Sequence, residues 1–178
     1  MNIRKVIISI ALLALTAGVT FALSSTAAHS VQLNVPEIAM MSLNLTGTIT
    51  LTVQNPAQGG LPPAGMTDAS KVLWYTAVNA TGTNRNISVQ WGAADAAPAG
   101  TSLHVQATAV TAGCGSAGAA VQISNVAQNI VTSIPSCVTG QGGNGAALTY
   151  TFQVDTPASL VVGDNHLVTV TFTLTDAS

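Results

Sequence analysis

General acid–base catalysis needs two titratable groups within reach of one reacting atom. A structural or catalytic metal needs three or four converging His, Cys or carboxylate ligands. Beyond its first residues this chain has one Glu (Glu37), five Asp (Asp68, Asp95, Asp155, Asp164, Asp176) and three His (His29, His104, His166) with which to do either. Asp68, Asp95, Asp164 and Asp176 adjoin Ala, Gly or Asn, the setting in which a short carboxylate bonds its own backbone and shapes a turn. His104 falls on the polar phase of an alternating run, His166 follows a turn, and His29 stands apart near the N-terminus. No G-x-S-x-G elbow, H-E-x-x-H pair or P-loop occurs. Residues 140–145 are glycine-rich, yet they lack the lysine and the following helix of a phosphate-binding loop and read as a flexible connection. The expectation is no catalytic residue, no metal and no cofactor.

Two other residue pairs could do chemistry. Cys114 and Cys137 are the only cysteines, so one pairing is open to them. Two thiols cannot complete a zinc site, and their spacing is not that of a C-x-x-C redox motif, which leaves a structural disulfide. Trp74 and Trp91 could stack against sugar rings and make the protein a carbohydrate-binding module. The competing expectation is that these rings fill the core, as large aromatics usually do. Asn44, Asn79 and Asn86 each begin an N-x-[ST] triplet, but such triplets arise by chance in a chain this rich in Asn and Thr.

Composition narrows the partners. Only 6% of residues are charged and 48% are hydrophobic, against roughly 25% charged in ordinary soluble domains. The surface must therefore be rich in hydroxyl and amide groups. Of four basic residues, Arg4 and Lys5 lie at the N-terminus and only Lys71 and Arg85 lie beyond it. Nucleic-acid binding depends on several Lys/Arg–phosphate contacts, so it is excluded, and a polybasic attachment to anionic lipid is disfavoured for the same reason.

The elements that would position these residues are strands. Ile49, Leu51 and Val53 alternate with threonines, giving one apolar and one hydroxyl face. Residues 72–78 and 87–91 form two further runs, read as a hairpin across the turn at 79–84. Shorter runs follow near 103–107, 121–123 and 129–134. In the last two runs, Leu148, Tyr150, Phe152 and Val154, then Val168, Val170, Phe172 and Leu174, each occupy one face. About eight short strands separated by turn residues predict an all-β, immunoglobulin-like two-sheet sandwich, with a closed barrel as the alternative. The cysteines would staple a loop, not bridge the two sheets.

The N-terminus reads as an address. A basic stretch, an apolar run over residues 6–23 and the small residues 24–28 have the layout of a secretory signal peptide, with cleavage expected after Ala28. An uncleaved anchor is the alternative, since the run is about long enough to span a bilayer. Residues 29–46 form an apolar segment in which Val31, Leu33 and Val35 alternate before Pro36 interrupts. Such a segment either pairs as the first strand of its own domain or adds to the sheet of a neighbour. Residues 47–178 would be the sandwich.

Signal peptide, apolar segment at 31–45, Thr-rich alternating strands and a terminal alternating strand at 168–175 together resemble exported microbial β-sandwich subunits of surface fibres, of the pilin and biofilm-matrix filament kind. The resemblance implies bacterial export to the periplasm, cell surface or medium. It also implies a structural role, partners that are further copies of the chain or cell-surface components, and no membrane contact after processing. It assigns a role to no individual residue.

Overall fold

A computed structural model describes residues 26–177. Strands make up 44% of the structure and helix 2%, in two sheets, one of them strongly curled into a half-barrel. The fold is thus an all-β sandwich, as the alternation predicts. From Val35 onward the described residues form one compact unit. The expected signal-peptide segment lies almost wholly outside the described residues.

Ten strands follow in order: β1 Ile38–Leu43, β2 Met66–Val78, β3 Arg85–Trp91, β4 Thr101–Val110, β5 Ser116–Ala117, β6 Val121–Gln122, β7 Gln128–Ile134, β8 Cys137–Val138, β9 Ala146–Val154 and β10 Val170–Asp176. One sheet has the order β1-β2-β9-β4-β6, with β8 also on β2, and the other β10-β3-β7-β5. Every pairing is antiparallel. Period-two alternation places the core: Leu73, Tyr75 and Ala77 of β2, Val105 of β4 and Leu148 of β9 turn inward from the larger sheet. They meet Ile87 and Val89 of β3 and Ile130 and Ile134 of β7.

Three local readings change. Residues 72–78 and 87–91 do not form a hairpin, because β2 and β3 belong to different sheets. The connection is too long for a two-residue hairpin turn. Asn79 lies across it, donating to Thr83 O and to Ile134 O (2.9 Å), so the chain crosses over the core. Residues 48–53 keep their alternation, Ile49, Leu51 and Val53 being half-buried between exposed threonines, but they pair with no strand. The first strand among the described residues is β1, after Pro36, and it pairs with β2 from Ile38 opposite Val78 to Leu43 opposite Leu73.

Lys71 and Arg85, the only Lys and Arg among the described residues, are both buried. Arg85, 8% exposed, donates from Nε to Asn79 Oδ1 (2.9 Å). Its Nη2 lies 3.3 Å from Asp176 and 3.7 Å from Glu37, so it ties the end of β10 to the start of β1. Lys71, 6% exposed, faces inward because β2 shifts register between Asp68 and Lys71. Ser70 donates from Oγ (2.7 Å) and from its backbone N–H (3.0 Å) to Asp68 Oδ1 in that bulge. The two bonds hold the Asp68 carboxyl below its usual range.

Cys114 and Cys137 are joined, with Cα atoms 5.6 Å apart and a sequence separation of 23. Cys137 sits on β8 opposite Ala77, and Cys114 lies in the turn after β4. The bond is the loop staple expected. Beneath it the Tyr75 hydroxyl donates to Cys114 O (2.6 Å), and burial pushes that phenol up to about 12. Replacing both cysteines by alanine should lower the unfolding free energy by about 3 kcal/mol, the chain-entropy value for a loop of this size. Urea denaturation checks this. An unchanged midpoint would mean that the Tyr75 bond and the β8 ladder hold the turn without the staple.

Candidate functional site

The candidate site is a groove. The four-stranded sheet ends at β10, which pairs only with β3. At one end of this flank Arg85 draws β1 and β10 together. Toward the other end β1 has stopped at Leu43, β10 is only beginning, and a cavity of about 920 Å³ opens between the sheets. Leu103, Tyr150 and Phe152 of the larger sheet line one side, and Trp91, Val170 and Phe172 of the smaller line the other. Tyr150 is nearly buried, and desolvation, with the Asp68 charge second, raises its phenol.

Two irregular stretches form the lips. The first is residues 46–53, whose half-buried Ile49 and Leu51 pack against the core cluster. No backbone–backbone hydrogen bond is made between residues 45 and 53. Its hold is Lys71, whose Nζ donates to Gly47 O (2.6 Å) and Leu45 O (3.2 Å). A charge-assisted bond to a carbonyl is worth more than a neutral one, so the inward lysine replaces part of a missing ladder.

The second lip is residues 160–169, between the 3-10 turn Pro157–Ser159 and β10. It is stitched to the β3–β4 loop. His166 Nδ1 lies 2.7 Å from Ala96 O and its Nε2 2.9 Å from Asp164 Oδ1. Asp164 Oδ2 accepts from Ala99 N–H (3.4 Å), and Asp95 Oδ2 accepts from Thr169 N–H (3.1 Å). Gly100 carries the close approach: it has φ +74, and a Cβ there would collide with Thr156 O. Both His166 nitrogens face acceptors, which only the doubly protonated ring satisfies. The bond to Ala96 O chiefly, then Asp164, raises its pKa from the ordinary 6.5.

The remaining candidates fall as follows. Trp91 lines the groove, whereas Trp74 stands on the outer face of β2 with its Nε1 donating to Asn144 O (3.1 Å), so the two rings are on different sheets. Gly145 packs against Trp74, with φ +113 and no room for a Cβ beside Leu73 O. Val31, Leu33 and Val35 are unpaired and 67%, 86% and 83% exposed. His104 Nε2 lies 3.1 Å from Ser102 Oγ. Among the described residues no three His, Cys, Asp or Glu groups converge on a metal position. No helix among them is long and apolar enough to cross a membrane. The groove itself escaped sequence reasoning. Its one visible signal was Leu160-Val161-Val162, an apolar triplet inside what reads as a polar connection.

The His166 stitch has a pH sign. Protonation is favoured by folding, so its contribution is full below the ordinary value and fades as pH rises through the raised one. Imidazole NMR should find His166 titrating above the free-imidazole range and falling back in Asp164→Asn. Titration at or below that range would show that the ring does not hold both acceptors. No protein family, curated protein or solved structure matches the chain.

Proposed function

We propose that the protein is a non-enzymatic, exported structural component of a cell surface or extracellular matrix, whose copies join by β-strand addition. One observation carries this reading. Val31, Leu33 and Val35 alternate as a strand does, yet stand exposed and unpaired ahead of a β1 that already fills the first-strand position. An apolar alternating segment that joins no strand of the described residues is the part that strand addition donates.

Magnitudes favour a sheet edge over a mere apolar surface as its destination. Burying one Val or Leu side chain yields about 1.5–3 kcal/mol. Ordering each backbone residue costs about 1–2 kcal/mol. Three side chains and five ordered residues therefore nearly cancel, and ladder hydrogen bonds, each worth about 1 kcal/mol net, must tip the balance. A joint in which one copy's arm enters the next is head-to-tail and need not close, which gives fibres.

Other features agree with this reading. A structural disulfide suits the periplasm or the medium, where a signal peptide at residues 1–28 would deliver the chain. Lys71 and Arg85 are both buried, so neighbours meet chiefly through hydroxyl, amide and apolar groups, with few charges to repel each other.

Negative-stain microscopy of the exported protein tests the proposal. Filaments or head-to-tail oligomers are expected, with monomers after deletion of residues 29–36. Strictly monomeric particles at high concentration, or assembly indifferent to the deletion, would overturn it.

A further inference from the structure

Strand addition requires a receiving edge, and the sandwich has several free ones. β1 and β6 end the larger sheet and β10 and β5 the smaller. β5 and β6 have only two residues each, too few to template a strand. β1 offers a longer edge, and the apolar cavity lies beside it where it stops at Leu43.

The flank between β10 and residues 48–53 has three features of a receiving edge. It opens on the apolar interior: Trp91, Phe152, Val170 and Phe172 line it and are only partly buried. Its lip at residues 46–53 is extended, alternates apolar and hydroxyl side chains, and has backbone groups without backbone partners. Its other lip carries Val161, Val162 and Leu167 at 66%, 104% and 83% exposure. Scattered exposed apolar residues are ordinary, whereas a cluster beside an apolar groove marks an interaction surface.

We infer that this groove receives residues 31–35 of a second copy of the chain, as a strand laid between β10 and residues 48–53. This rests on the strand-addition reading above and names the site and partner within it. The occupant is argued from complementarity on both sides. The groove lacks a strand with an apolar inward face, and the chain carries one surplus strand with that pattern. In the groove Val31, Leu33 and Val35 point between the sheets, and Gln32 and Asn34 point outward among the threonines. The arm carries no charge from residue 30 to residue 35, and the charged groups lining the space are already engaged: Lys71 by two carbonyls, and Asp164 and His166 by each other.

Two separately prepared full-length proteins, Leu33→Cys and Leu51→Cys, are mixed under mild oxidation, beside a control mix of Leu33→Cys with Met40→Cys on the β1 edge. A disulfide joining positions 33 and 51 of different copies, in clear excess over the control and identified by mass spectrometry, is the expected result. Oligomers that cross-link through position 40 and not 51 would overturn the groove while leaving strand addition standing. Absence of oligomers in every mix would overturn both.

A second readout does not depend on engineered thiols. In the Trp74→Phe chain Trp91 is the sole tryptophan. A synthetic peptide of residues 29–36 should shift its emission to the blue and reduce quencher access. The same peptide with Leu33→Asp should not. An unmoved spectrum at saturating peptide would count against the groove.

Discussion

A two-sheet core stays dry only where both sheets extend across it. In this sandwich the larger sheet reaches further than the smaller. β2, β9 and β4 present Lys71, Leu103, Tyr150 and Phe152 over a width that β10 and β3 do not cover. The deficit decides much of the remaining architecture. Residues 46–53 run extended with no ladder, a lysine turns inward to hold their carbonyls, and the β9–β10 connection folds along the opening. Each of these arrangements partly does what one more strand would do.

The charges are placed to the same end. Arg85 closes the flank where β1 and β10 approach, by engaging a carboxylate from each. Lys71 holds the first lip, and His166, Asp164 and Asp95 hold the second against the β3–β4 loop. None of these groups is arranged as a nucleophile with its base. They are posts around an opening, and the opening is apolar.

Some of this could be read directly from residues. The rhythm of Leu148, Tyr150 and Phe152, and of Val170, Phe172 and Leu174, identified β9 and β10, because side-chain period depends only on local backbone geometry. The disulfide followed from there being two cysteines and no others. Partnering is another matter, since it is not local. Residues 48–53 alternate as cleanly as β10, yet nothing in the alternation says whether a neighbouring strand exists. The separation of β2 from β3 into different sheets turned on Asn79 bonding across the connection, which no turn propensity announces. Lys71 reads as a surface residue until the bulge after Asp68 rotates it inward. The groove was illegible for the same reason: its walls come from six separate stretches of chain.

The most direct test of the open flank is amide hydrogen exchange resolved along β10 and residues 48–53. In the isolated protein the amides of residues 48–53, and those of β10 directed away from β3, should exchange rapidly, while β9 and β3 remain protected. In assembled material, or with excess peptide of residues 29–36, the fast set should become slow. Protection of these amides already present in the isolated protein, or fast exchange persisting after assembly, would contradict the account.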